Sequence, residues 1–250
     1  MDDSAAGMYQ RFAEFEAAGV SPIYFEWASE IAQDAEALAL IEAGASAGLV
    51  LYPDRYSYRY DLGGETVSLD PLDGPSEVLL PCAIEEGAAP SRLPEVVWRA
   101  GVDLNPIDVR DADSLAWLEA LVWPEHEERR MRLRAAAQVA AADPPHLIAG
   151  DILERVPELV AAAPTGARIV VFHSAVLAYL DPERRREFAE LMLATPGITW
   201  LSNESPRVLP EFAAKVRSAT PDEMKGRMLL AVNGEPVALT GPHGQSYRAL

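Results

Sequence analysis

The chain has 250 residues, 49% of them hydrophobic and 24% charged, which suits one globular α/β domain with a sizeable core. Its 21 basic against 39 acidic residues give a formal charge of −18, which repels phosphate backbones and anionic lipid surfaces, so neither nucleic acid nor membrane is an expected partner. A lone cysteine, Cys82, excludes an intrachain disulfide, and His126, His146, His173 and His243 lack zinc-ligand spacing, so no metal site is expected.

The N-terminus lacks the basic and apolar pattern of a secretory signal, and no apolar run approaches the roughly 20 residues of a membrane span, so the cytoplasm is the expected compartment. Met8, Phe12 and Phe15 recur at helical spacing, as do Trp27, Ile31, Ala35 and Leu38, with Gly19-Val20-Ser21-Pro22 between them. Two N-terminal helices over residues 1–37 are therefore expected to lead into a first strand, Leu38-Ala39-Leu40-Ile41.

That strand meets Glu42 and then a turn of tiny side chains, Gly44-Ala45-Ser46-Ala47-Gly48, where backbone must pass close to a ligand or to another element. A dehydrogenase fingerprint would need glycine at positions 46 and 49, occupied here by Ser46 and Leu49, and a P-loop would need a Gly-Lys-Ser/Thr ending. The stretch is also a literal G-x-S-x-G, the nucleophile elbow of α/β-hydrolases, with His243 late in the chain as a possible triad histidine. Against that reading, an elbow normally follows several strands, and only helical-looking sequence precedes residue 38. The plainest reading is a compact strand-to-helix connection without a ligand.

Residues 52–94 read as an insertion, partly β, lying over this first loop. Tyr56, Tyr58 and Tyr60 alternate with Ser57 and Arg59, Gly63-Gly64 turns the chain toward Thr66-Val67-Ser68-Leu69, and a further short strand is expected over residues 78–84. The tyrosines suit either the core or a substrate.

Val96-Val97-Trp98-Arg99-Ala100-Gly101-Val102-Asp103 is the second strand. An acid where Asp103 stands, at the end of the second strand of a dinucleotide-type sheet, accepts hydrogen bonds from ribose hydroxyls; a strand-end cap is the alternative. Asp113 is expected to cap a helix bearing Leu115, Leu118 and Val122, and a second helix from Glu125 carries Glu125 with Arg129 and Glu128 with Arg132, a self-paired face. His146-Leu147-Ile148-Ala149-Gly150-Asp151 is a third strand ending in an acid that can also cap a helix, and Pro157 reads as a helix start.

Arg168-Ile169-Val170-Val171-Phe172-His173 is the clearest buried strand, followed by a helix capped at Asp181-Pro182 with Phe188, Leu191 and Met192 on one face. His173 and Ser174 stand at its carboxyl end, the edge where open α/β sheets bind ligands, and a histidine there is the natural general base. A structural histidine is the alternative. Ile198-Thr199-Trp200-Leu201-Ser202-Asn203-Glu204 ends at the same edge, so Asn203 and Glu204 are expected to converge with His173. Asn233-Gly234 marks a hairpin between residues 228–232 and 236–239, and a last strand is expected near Tyr247.

Five strand-then-helix units and a hairpin amount to a single α/β domain over residues 1–250: a mostly parallel Rossmann-like sheet, helices on both faces, a C-terminal antiparallel hairpin with a reversed strand at one edge, and a β-containing insertion after the first strand. Glu42-x-Gly44-x-Ser46-x-Gly48 resembles the first motif of class I S-adenosylmethionine-dependent methyltransferases, with serine where a central glycine is usual, and Gly101-Val102-Asp103-Leu104-Asn105-Pro106 resembles their second. This resemblance implies that Glu42, Gly44, Ala45, Ser46 and Gly48 surround the methionine part of S-adenosylmethionine, that Asp103 binds its ribose and that Asp151 lies near the adenine. Asn105 and Ser174 complete the expected cofactor-binding set, and His173 or Glu204 would remove a proton from a small-molecule methyl acceptor.

Over its whole length the chain is more specifically similar to a bacterial family of unknown function, DUF2332. The similarity rests on Arg11-Phe12-Ala13, the 19–22 and 41–49 stretches, Trp98 to Pro106, Leu121-Val122-Trp123-Pro124-Glu125, Val171 to Leu180 and Trp200 to Glu204. Similar proteins carry a longer helical region before the first strand, which implies a shortened substrate lid here. Two further functions stay open: a non-catalytic nucleotide-binding or interaction module, and a serine hydrolase using Ser46.

Overall fold

The computed structural model describes residues 37–250. The two helices expected over residues 1–37 fall outside the described residues, apart from Ala37. In chain order the elements are β1 (Ala37–Ala43), β2 (Ser57–Asp61), β3 (Thr66–Leu69), β4 (Leu79–Glu86), β5 (Glu95–Asp103), α1 (Ala112–Leu121) and α2 (Glu127–Ala142). There follow β6 (His146–Ala149), α3 (Ile152–Ala162), β7 (Arg168–Ser174), α4 (Pro182–Ala194) and β8 (Ile198–Glu204). The helical turns α5 (Pro210–Ala213) and α6 (Pro221–Met224) then precede β9 (Met228–Val232), β10 (Glu235–Thr240) and β11 (Ser246–Ala249).

The eleven strands of the described residues form one sheet in the order β3-β2-β4-β11-β10-β9-β8-β7-β1-β5-β6. Its centre is parallel: β1 pairs with β5 and β7, β5 with β6, and β7 with β8. Of these, β1 and β7 read as continuous apolar runs because both of their faces are covered, whereas β6 lies at the sheet edge and is partly exposed. On one face Leu38, Leu40, Val170 and Phe172 pack with the insertion and with Leu118, Leu133 and Ala137 of α1 and α2. On the other, Ile41, Ala43, Val102 and Val171 pack with Val156 and Leu159 of α3 and Phe188 of α4. Successive side chains of a strand point to opposite faces, and the residues of β1 divide between the two clusters accordingly.

Several expectations are corrected. The hairpin β9–β10 lies inside the sheet, because β10 continues into antiparallel β11, and β11 pairs in parallel with β4. The insertion consequently extends the sheet through β4, β2 and β3 instead of lying over the first loop. Its tyrosines are core: Tyr52, Tyr56, Tyr58 and Tyr60 are all fully buried, which removes them as substrate contacts. Three of their hydroxyls find backbone acceptors, Tyr52 at Asp143 O (2.6 Å), Tyr58 at Pro53 O (3.1 Å) and Tyr56 at Leu49 O, as buried phenols require. Burial raises the Tyr56 and Tyr58 pKa values well above that of a free phenol.

Arg99, unremarked in the sequence, fastens this segment to β5. Its guanidinium donates to Leu51 O (2.8 Å) and Asp54 Oδ2 (2.7 Å) and lies 4.8 Å from the Tyr52 ring centre.

Helix starts also differ in detail. Asp111 caps α1 by accepting from Ser114 N, while Asp113 sits in the first turn, where a negative charge suits the helix dipole. Asp151 caps α3, which places Pro157 inside that helix and not at its start. Asp181 caps α4 ahead of Pro182, as expected. In α2 ion pairs join Arg130 to Glu127 and Arg134 to Glu119 of α1. No helix among the described residues is long and apolar enough to cross a membrane.

Candidate functional site

Parallel strands in one sheet present their carboxyl ends on one side, and a ligand crevice opens where the connections leave toward opposite faces. Here that place is between β1 and β7. The chain leaves β1 toward the tyrosine-lined face and leaves β7 toward α4. A cleft of about 370 Å³ opens beside it, lined by Gly44 and Ser46 after β1, Asp103 to Asn105 after β5, Asp151 after β6, and Val176 and Tyr179 after β7. Its volume falls within the range of small-molecule sites. Ile107, Ile152, Leu180 and Trp117 with Leu118 and Leu121 of α1 supply apolar walls.

Five of the expected cofactor-binding residues, Gly44, Ser46, Asp103, Asn105 and Asp151, line this cleft. The other four are not among its lining residues. Glu42 is buried in β1, on the face it shares with Leu38 and Leu40. Ala45 packs on Gly101, where an added Cβ would lie 2.5 Å from the Ala45 methyl. A Cβ on Gly48 would touch Pro145 at 3.0 Å. Ser174 Oγ accepts from Asn203 Nδ2 (3.0 Å), and Asn203 Oδ1 accepts from Thr240 Oγ1 (2.9 Å), a polar string tying β7, β8 and β10.

The glycine turn is held from within. Gly44 N and Ala45 N donate to Val102 O (2.8 and 3.0 Å), and Gly48 N donates to Ala45 O (2.6 Å). Ser46 N donates to Asp103 Oδ2 (2.9 Å), while Asn105 N donates to Asp103 Oδ1 (2.8 Å). Asp103 therefore staples the first loop to the second. Gly44, Ser46 and Gly48 all have positive φ (75°, 48° and 69°), which explains the tiny side chains at this turn. Asp151 takes Leu153 N at Oδ1 (2.9 Å) and the Arg184 guanidinium at Oδ2 (2.6 Å), so its helix-cap role is realised.

His173 and Glu204 do meet: Nδ1 and Oε1 are 2.8 Å apart. They meet inside the protein. Their side chains are 0% and 3% exposed, and the imidazole packs against the Phe188 ring (5.6 Å between centres) and the Trp200 ring (5.9 Å). A general base must reach its proton, and neither residue lines the cleft, so their assignment as catalytic is corrected to a structural one. Strand alternation is the reason, since His173 shares the face of Val171, which is covered by α4.

Glu204 Oε1 also accepts from Val176 N and Leu177 N, each at 2.8 Å. Three nitrogens thus converge on that oxygen, an arrangement matched by His173 Nδ1–H donating alongside the two backbone N–H groups. The pair thereby holds the 175–180 turn, which contributes Val176, Tyr179 and Leu180 to the cleft and begins with Ala175 at φ 56°. Glu204 is thus a positioning residue.

The hydrolase arrangement does not form. His243 belongs to the turn between β10 and β11, and β10 lies four strands from β1. At about 4.8 Å per strand that is about 19 Å, beyond the hydrogen-bond reach that activates a serine. A fluorophosphonate probe is expected to leave Ser46 unlabelled by mass spectrometry, and labelling lost in His243→Ala would restore the hydrolase. Cys82 is no nucleophile either, because burial pushes its thiol up to about 12.

Sequence reasoning missed Leu104, Trp117, Val176 and Tyr179. Leu104 is 80% exposed, and Trp117 and Tyr179 are also exposed, at the cleft. The available signal was position: Leu104 directly follows a strand-end acid, and Tyr179 lies in the connection after β7.

No curated protein and no solved structure matches this chain. Residues 35–248 match the family model described as "Uncharacterized protein conserved in bacteria (DUF2332)". The cleft and the strands that build it all lie within the matched span, and the chain belongs to that bacterial family.

Proposed function

We propose that the cleft binds S-adenosylmethionine and that the protein is a methyltransferase-like enzyme acting on a small molecule. The observation that carries this reading is the convergence of Gly44, Ser46, Asp103, Asn105 and Asp151 on one cleft at the carboxyl edge, although they come from three separate loops. The residues present fit such a cofactor. A carboxylate offers about four lone-pair positions, and Asp103 uses two on backbone N–H groups, leaving two for ribose hydroxyls. Asp151 sits where an amino group can be bound, and the apolar walls suit a purine.

The chemistry supplied by the bound cofactor is an electrophilic methyl group on a sulfonium sulfur. The protein would contribute proximity and orientation, with Asp103 fixing the nucleoside end and the Glu204-held turn supplying Val176, Tyr179 and Leu180 to the cleft wall. A second reading, a module that binds without turnover, is favoured by the prior engagement of both cleft carboxylates with protein donors.

Calorimetric titration with S-adenosylmethionine and S-adenosylhomocysteine tests the proposal. Binding is expected, and Asp103→Ala is expected to weaken it by roughly 1.5–3 kcal/mol, the range for hydrogen bonds to a charged group. A melting curve of Asp103→Ala beside the titration separates loss of ligand contacts from loss of the staple, because the two loops joined through Ser46 N and Asn105 N report on stability without ligand. Failure of the wild-type protein to bind either compound overturns the proposal.

A further inference from the structure

We infer that the cleft takes an unphosphorylated nucleoside and turns away nucleotides, an inference that rests on reading it as a nucleoside-cofactor site. A phosphate needs cationic side chains or a cradle of available backbone N–H groups. None of the described residues lining the cleft is lysine, arginine or histidine. The glycine turn offers no such cradle, because Gly44, Ala45, Ser46 and Gly48 already donate to Val102, Asp103 and Ala45. Asn105 N is likewise bonded to Asp103.

The start of α3 is the other place where an anion would settle, and a fixed anion is already there: Asp151 Oδ1 holds Leu153 N. The cation behind it, Arg184, is drawn onto Asp151 Oδ2 at 2.6 Å. Two carboxylates, Asp103 and Asp151, thus face the cleft in a chain of formal charge −18. Such a lining accepts hydroxyl and amino donors and repels a phosphate dianion. S-adenosylmethionine, whose sulfonium and ammonium groups outnumber its single carboxylate, meets this requirement. Adenosine 5′-monophosphate and dinucleotides do not.

The test is calorimetry on the full chain with adenosine, adenosine 5′-monophosphate and S-adenosylhomocysteine. Adenosine is expected to bind at least about tenfold more tightly than its monophosphate, and equal or tighter binding of the monophosphate overturns the inference. In Asp151→Asn the cap is kept, since asparagine caps as well as aspartate, while Arg184 loses its counter-charge. The preference for adenosine should then narrow by about tenfold. Arg184→Gln, which leaves the Asp151 carboxylate uncompensated, should widen it. A preference that stays constant in both variants overturns the electrostatic basis. If adenosine binds and its monophosphate does not, but S-adenosylhomocysteine fails, the inference stands and the methyltransferase proposal falls. If none binds, both fall.

Discussion

Replacing Glu204 by alanine is expected to destabilise the protein by about 3–5 kcal/mol, seen as a fall in Tm of roughly 6–20 °C. The single oxygen Oε1 receives His173 Nδ1, Val176 N and Leu177 N, all at 2.8 Å, in a site with almost no solvent access. Alanine leaves three buried donors without an acceptor, and each such group costs about 1–3 kcal/mol. The loss is not confined to the core. The 175–180 turn forms one wall of the cleft, so hydrogen exchange of Val176 and Leu177 amides should accelerate in the variant, and ligand affinity should fall with it. Glu204→Gln, which keeps an acceptor oxygen in place, should retain much of the stability. A Tm unchanged in Glu204→Ala would show that the turn is held by other contacts.

Gly44→Ala is the second large effect, at about 2–5 kcal/mol from two additive causes. The left-handed φ of 75° penalises any Cβ by about 1–2 kcal/mol. In addition, the new methyl would lie 2.5 and 2.6 Å from the two Val176 methyl carbons, an overpacking that typically costs about 1–3 kcal/mol. The two causes separate in a double-mutant cycle followed by denaturant unfolding. Val176→Ala should relieve the clash and leave the backbone penalty, giving a favourable coupling of about 1–3 kcal/mol. Zero coupling would mean that Val176 does not press on the glycine turn.

The parallel centre of the sheet was legible because each of its strands is a buried run with a loop signal at its end. Leu38 to Ile41, Val96 to Asp103 and Arg168 to His173 announce themselves by composition. The rule that such strands share a carboxyl edge pointed to His173, Asn203 and Glu204 gathering there with the glycine loop, but their side chains are buried and the cleft is lined instead by Gly44, Asp103 and Asp151. The side-chain direction at β7 was equally available: Val171 and His173 are two apart, so a face buried at one is buried at the other.

The pairing of β11 with β4 was not legible. Parallel partners far apart in sequence leave no local trace, and the hairpin at Asn233-Gly234 announces its turn without its place in the sheet. Arg99 escaped notice because a lone arginine in a strand reads as an exposed residue, and its partners Leu51 and Asp54 come from a loop with no regular pattern.

The bridging position of β11 also bears on how the chain reaches its native state. During synthesis β1 to β4 emerge early, yet β4 gains its second neighbour only when residues 246–249 are made. Until then the edges of β4 and β10 are open, two unpaired ladders of N–H and C=O groups able to recruit strands from other chains. Closing so long a loop is slow, because its entropy must be overcome before any contact is gained. The β4–β11 pairing is thus a non-local contact expected to form late in refolding, with aggregation expected to compete while those edges stay open.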